Sequence, residues 1–228
     1  MPRGVILHRW PFQETGFIVE IFSDTLGKVR AVAKGAKRPK SPWRGVLEPF
    51  QVLDFDLTGR GELKTLTRAE ISKNFKLSGT YLYSGFYLNE LLQRLLPEQY
   101  VQETLFQDYL STLQLLHEQV MLEVVLRKFE WCVLEHLDLD FSWQSDAETQ
   151  EPIKPSGYYR FVPEVGFVEI MGATDANDFS GEEIQALAKF EFSDENQLRR
   201  YKQLMRWALQ PYLGSKPLHS RNLFKPQN

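Results

Sequence analysis

Cysteine is almost missing from this chain. Among 228 residues there is one, Cys132. A single cysteine closes no internal disulfide and supplies no cysteine-based zinc site. Set between Trp131 and Val133, it reads as a buried structural thiol, and a reducing cytoplasm suits it. Histidine is scarce too: His8, His117, His136 and His219 show no ligand spacing. No long apolar run occurs. The opening MPRGVILHRWPF is broken by His8 and Arg9, so neither a signal peptide nor a membrane span is expected there. Walker-type phosphate loops, GxSxG elbows and HExxH are all lacking; His117-Glu118 begins like the last, but position 121 is Met. No zinc is expected, and none of these catalytic signatures is at hand.

One absence is local. From Thr25 to Leu47 there is no carboxylate, although the chain carries a net charge of −3. The overlapping stretch GKVRAVAKGAKRPKSPWRGVLEPF, from Gly27 to Phe50, holds seven cations: Lys28, Arg30, Lys34, Lys37, Arg38, Lys40 and Arg44. The asymmetry extends along the chain. Residues 1–76 carry 14 Lys/Arg against 8 Asp/Glu, residues 77–195 carry 6 against 22, and residues 196–228 carry 7 against none. Basic surfaces attract phosphate polyanions through counterion release. An ordinary solvated surface is the alternative for each patch.

The residues that are present divide the chain. Short β-type runs fill the first part: Gly4–His8, Phe17–Ser23, Lys28–Lys34, Val46–Leu57 and Leu63–Ile71, separated by glycine- and proline-bearing turns. In the fourth, Leu53, Phe55 and Leu57 alternate with Asp54 and Asp56, the period of a half-buried strand. Five short strands without helical period predict a small barrel of the OB type. After Leu77-Ser78-Gly79 the apolar spacing turns helical. Helices are expected from about Tyr81 to Pro97, over about Glu103–His117 and over about Val120–Leu137. Residues 141–178 lose the period and read as a loop-rich insertion, with a short hairpin at Tyr158–Arg160 and Gly166–Ile170. Ser180-Gly181-Glu182-Glu183 has the form of a capping box, and a last helix runs over about Glu195–Leu209. The fold class expected is α+β: an OB domain over 1–78, then a helical domain over 79–228 that carries the insertion.

Two features suggest chemistry. Lys28, Arg30 and Lys34 fall on one face of a predicted strand, ~7 Å apart at nearest spacing, a row able to follow phosphates. Lys37, Arg38, Lys40 and Arg44 continue it in a loop, where Trp43 offers a stacking surface, as in OB-folds that hold single strands. Asp54 and Asp56 share a strand face and in a nuclease could hold Mg²⁺. The plainer reading makes them the wet face of the strand, paired across to Lys64 and Arg68.

With GRGELKTL (59–66), YSGFYLNELLQRLL (83–96) and PYLGSKPLHSRNLF (211–224), the basic stretch resembles the bacterial recombination and repair mediators of the RecO family. The resemblance implies an N-terminal OB-fold, a helical domain and no catalysis. It implies binding of single- and double-stranded DNA and annealing of complementary strands, including those coated by single-stranded-DNA-binding protein (SSB). It further implies partnership with RecR in loading RecA, and a cytoplasmic, nucleoid-associated place of work. Many members carry a four-cysteine zinc module after the third helix; this chain has Phe141, Ser142 and Trp143 there and is similar to the zinc-free branch. On this reading DNA is met by the seven cations above and by the basic tail: Arg199, Arg200, Lys202, Arg206, Lys216 and Arg221. Members grip the acidic SSB tail on the helical domain, which points to Arg127 and Lys128, Arg127 foremost; the alternative is that both pair with helix glutamates. A Mg²⁺-dependent nuclease built on Asp54 and Asp56, or an RNA-binding OB module, are the rival readings.

Overall fold

The structure is a computed structural model; it describes residues 1–172, 174–190, 192 and 194–224. Five strands open the chain: β1 (Arg3–Phe12), β2 (Gly16–Ser23), β3 (Gly27–Ala33), β4 (Gln51–Thr58) and β5 (Leu63–Asn74). They close into a barrel in the order β1-β2-β3-β5-β4. All neighbours are antiparallel except β3 and β5, which run parallel. This is OB-fold connectivity, as the sequence predicts. Period-2 alternation fills the interior: Val19 and Ile21 of β2, Val29 and Ala31 of β3, Leu53 and Phe55 of β4, and Leu66 of β5 are all buried inside.

The connection from β3 to β4 departs from expectation. A strand was expected from Val46, but residues 46–50 are loop. Leu47 inserts into the barrel core from that loop, 1% exposed. Phe50, with φ at +65°, adopts a left-handed conformation that a strand cannot contain. Apolar residues that plug a barrel end mimic a strand in sequence.

Helix α1 (Gly79–Leu95) and helix α2 (Glu103–His117) lie against this barrel. Asn89 donates from Nδ2 to the carbonyls of Ile6 and Leu7, 3.3 and 3.2 Å away, beside a β-bulge in β1. Its Oδ1 accepts from the buried Tyr109 hydroxyl of α2. Phe22 of β2 meets the edge of Phe106, ring centroids 5.4 Å apart. At Gly27, φ is +68° and a Cβ would sit 2.4 Å from the Tyr100 carbonyl oxygen, so the β2–β3 turn admits no side chain under the α1–α2 link.

The chain divides into two compact units: Met1–Leu122 with the segment from Lys216 onward, and Glu123–Ser215. The change from strands to helices falls near the expected 78/79 border, since β5 ends at Asn74 and α1 starts at Gly79. Compactness divides later, because α1 and α2 pack on the barrel. The C-terminal segment also returns to the first unit. Its 3-10 helix, His219–Phe224, packs on α1, where the Glu90 carboxylate accepts from the backbone N–H groups of His219 and Ser220 and from the Ser220 hydroxyl.

The second unit holds α3 (Leu122–His136, its first residue apart), β6 (Tyr158–Val162), β7 (Gly166–Glu169), β8 (Phe179–Ser180), α4 (Gly181–Ala188) and α5 (Glu195–Leu209). The strands form one small sheet in the order β7-β6-β8. The expected hairpin is thus present and gains a third strand. Ser180 caps α4 by accepting from the Glu183 N–H at 3.1 Å. A Cβ at Gly181 would lie 1.9 Å from the Lys154 carbonyl oxygen, so this helix start also requires glycine. The 141–178 insertion, whose residue 173 lies outside the described residues, has a core of its own. Phe141 packs on Trp131, Trp143, Phe161 and Phe167 with ring centroids 4.8–5.5 Å apart. Aromatic packing organises this segment. Cys132 itself is half-buried, not buried as its neighbours suggested.

Candidate nucleic-acid interface

The outward face of β2 and β3 is the usual nucleic-acid surface of an OB-fold. Here one end of it is covered. Glu20, Phe22 and Lys28 point out of the barrel, yet all three are buried. Lys28, only 6% exposed, donates its ammonium to the Gln93 carbonyl of α1 at 2.7 Å. Its own carbonyl accepts from the Gln99 N–H. Burial lowers the Lys28 pKa from its ordinary value, against the opposing pull of Glu20 and Glu98. Arg30 lies opposite Glu20 in the β2–β3 register and binds it at 3.0 Å; its Nη2 reaches Glu98 at 3.1 Å. The expected row of three solvated cations is therefore broken. Lys28 is sequestered, Arg30 is neutralised by two carboxylates, and only Lys34, just past the end of β3, faces water freely. The missing signal was in β2: Phe17, Ile18, Val19, Ile21 and Phe22 leave it no wet face, the mark of a strand covered on both sides.

The loop after β3 keeps its expected character. Lys34, Lys37, Arg38, Lys40 and Arg44 are all exposed, and none is in an ion pair among the described residues. Backbone bonds hold the loop: Lys37 N–H to the Thr15 carbonyl at 2.8 Å, then Arg38 to Gly35, Ser41 to Arg38 and Arg44 to Ser41. Trp43 does not stand out as a free platform. It is half-buried against the barrel core, and its indole N–H donates to the Lys34 carbonyl at 3.0 Å. It staples the loop to the barrel. Sequence reasoning missed Arg9 and Phe17. The Arg9 guanidinium and the Lys37 ammonium lie 5.2 and 5.5 Å from the Phe17 ring centroid, and Arg9 also binds Glu48 at 2.8 Å. Phe17 shares the inward face of β2 with Val19 and Ile21 and packs on the barrel core, and Arg9 lies opposite Val19, so alternation alone gives no signal for a surface site there. The result is a basic rim built on the β1–β2 turn and the β3–β4 loop.

The basic tail separates between the two units. Lys216 and Arg221 are exposed on the barrel unit. Arg199, Arg200, Lys202 and Arg206 belong to α5 of the second unit. Arg200 is structural: it binds Glu183 at 2.7 Å, donates to the Ala176 and Asp178 carbonyls, and covers the Phe179 ring at 4.0 Å. Lys202 pairs with Glu123 at 2.8 Å. Arg199 and Arg206 remain exposed.

Arg127 also corrects the sequence reading. It is 4% exposed and paired with Glu130, itself 1% exposed, at 2.9 Å. A buried ion pair offers nothing to an incoming peptide, so the helix-glutamate alternative describes Arg127. Lys128, its neighbour, is exposed, with its ammonium 5.7 Å from the Phe190 ring centroid. Asp54 and Asp56 are partly exposed on β4. Opposite Asp54 stand Arg3 and Glu70; opposite Asp56 stands Arg68. Arg68 binds Glu70 at 2.8 Å, and Lys64 donates to the Gly59 carbonyl, so the expected cross-strand pairs to the aspartates do not form.

The family model described as Recombination protein O N terminal matches residues 2–75, and that described as Recombination protein O C terminal matches residues 77–222. This chain belongs to the RecO family. A DNA repair protein RecO of Idiomarina loihiensis is 47% identical over 226 residues, covering 98% of this chain and 97% of the relative. Relatives of the same name from Proteus mirabilis and Actinobacillus pleuropneumoniae serotype 7 are 42% and 40% identical, each over 98% of this chain and over 91% and 93% of their own lengths. RecO membership assigns the chain to DNA repair and recombination. No helix among the described residues is long and apolar enough to cross a membrane.

Proposed function

We propose that this RecO-family chain is a non-enzymatic mediator that binds single- and double-stranded DNA through the basic rim of its barrel. It anneals complementary strands, including SSB-coated ones, and acts with RecR to load RecA at the nucleoid. The observation that carries the reading is the β3–β4 loop, with five exposed cations that no carboxylate neutralises. Unpaired surface cations on a backbone-pinned loop neutralise phosphates at little ordering cost. Catalysis has no part in this scheme: bringing two neutralised backbones together is enough for base pairing to proceed. The acidic SSB tail is assigned to Lys128 over Phe190, a charged head beside an aromatic floor.

The test is the triple variant Lys37→Ala/Arg38→Ala/Lys40→Ala. Three lost phosphate contacts should lower the log–log salt slope of single-strand binding by about 2, at about 0.7 per phosphate. Annealing of SSB-coated oligonucleotides without added nucleotide should fall with it. An unchanged slope removes the rim from the proposal, and Mg²⁺-dependent strand cleavage by the purified protein would replace the mediator with a nuclease.

A further inference from the structure

The exposed arginines of α5 border a feature that the barrel rim does not explain. Arg199, Lys202, Gln203, Arg206 and Trp207 line a surface depression of about 460 Å³. Trp207 also lines a second, of about 300 Å³, with Arg160, Phe161, Pro163, Asp175 and Asn177. One half-exposed indole therefore separates two hollows of opposite character. On the α5 side the positions i, i+3, i+4, i+7 and i+8 gather three cations, one amide and the indole on one helix face. On the other side the charges are already matched, since Arg160 grips Asp178 at 2.8 Å and Asp175 at 3.5 Å. Gln203 donates to the Asn177 side-chain oxygen at 3.0 Å, which ties the two walls together.

We propose that this groove holds a short run of single-stranded nucleic acid, with phosphates on Arg199 and Arg206 and an unstacked base on Trp207. The inference rests on the reading that the chain binds single strands, and it adds a second site on the other compact unit. Seven residues of helix separate the two arginines by about 10 Å, so they reach different phosphates. The indole is held in place: it stands at 88° to Phe179, which Arg200 covers from above. A fixed aromatic beside a cationic wall is how sequence-tolerant single-strand sites are built. Duplex bases are stacked inward and cannot use it. An acidic peptide would satisfy the arginines but would leave the indole face without a base to stack on.

The experiment uses the full chain, a short oligothymidylate, an abasic strand of equal length and an acidic peptide ending in Phe. Trp207→Leu should weaken oligothymidylate binding roughly 5- to 150-fold with the salt slope unchanged, and leave abasic-strand binding as in the wild type. Trp207→Phe should retain most of the affinity while losing part of the tryptophan quenching that the oligonucleotide causes. Arg199→Ala/Arg206→Ala should lower the salt slope by about 1.4, for two phosphates. The β3–β4 loop triple variant is measured alongside. If only the groove variants respond, the groove stands and the barrel-rim reading fails; if only the loop variant responds, the groove is overturned. Equal loss of abasic and oligothymidylate binding in Trp207→Leu, undiminished quenching in Trp207→Phe, or loss of peptide rather than oligonucleotide binding would each overturn it as well.

Discussion

Glu90 holds Ser220 by two hydrogen bonds, from its backbone N–H at 2.8 Å and from its hydroxyl at 2.7 Å, across 130 positions of sequence. The same carboxylate accepts from the His219 N–H and binds Arg94 one helical turn on. Arg94 in turn donates to the carbonyls of Lys216 and Pro217. Burial alone would raise the Glu90 pKa; the donors on Ser220 and His219, with Arg94, more than reverse it, and the net shift is downward. Glu90→Gln should therefore cost about 1–3 kcal/mol. It should also expose the segment after Lys216 to limited proteolysis, read out by mass spectrometry of the early fragments.

Lys28 belongs to the fold and not to the DNA surface. Lys28→Met keeps the aliphatic stem but leaves the Gln93 carbonyl without its donor, at a cost of about 1–3 kcal/mol. Urea denaturation should detect that loss. The salt slope of DNA binding should be unchanged, and a drop comparable to that of the loop triple variant would return Lys28 to the interface.

Arg127→Ala should be among the most damaging substitutions in the chain. It removes the guanidinium from beside a carboxylate that is 1% exposed, and breaking such a buried pair costs about 3–5 kcal/mol. Lys128→Ala, at an exposed position, should leave the urea midpoint within error and weaken binding of an acidic peptide ending in Phe. Fluorescence anisotropy on the two variants separates folding from tail binding.

Acid should act on the second unit through Asp146. Burial pushes this carboxyl up, but N–H groups of Glu148, Thr149 and Glu169 and the Thr149 hydroxyl all donate to it, and its pKa is lowered overall. A depressed carboxyl contributes stability above its unfolded pKa of about 3.9, and that contribution is lost as pH falls through the folded value. Asp178, lowered first by its bond to Arg160, follows the same sign. Asp146→Asn should reduce stability at neutral pH and flatten its decline in acid. Intrinsic fluorescence of Trp131 and Trp143, which share the core of this unit, follows the transition.

What the sequence reveals depends on whether a side chain's neighbours lie close along the chain. Helices α2 and α5 stand at the expected Glu103–His117 and Glu195–Leu209, because an unbroken apolar stripe defines both and Asp194 caps α5. Strand β4 is legible from Leu53 and Phe55 alternating with Asp54 and Asp56. Lys28 and Arg127 depart from the sequence expectation for one shared reason: a charged residue implies a wet surface only where nothing else in the fold covers it. Lys28 is covered by a helix more than fifty residues downstream, and Arg127 shares its burial with Glu130, so both charges are resolved inside the protein. The loop cations from Lys34 to Arg44 were legible because their exposure depends on no distant element. Trp207 was not singled out, because the hollows on either side of it are assembled from α5, β6 and the residues before β8.

The return of the C-terminal segment to α1 also sets an order of events during synthesis. A ribosome adding about 5–20 residues per second needs roughly 6–26 s to travel from Glu90 to Ser220. Once His117 has been added, for the remainder of that interval the nascent barrel has its five strands and its covering helices, while the carboxylate meant for Ser220 is still open to water. The second compact unit is translated entirely within the wait. The first part of the protein to begin folding is thus the last to be completed.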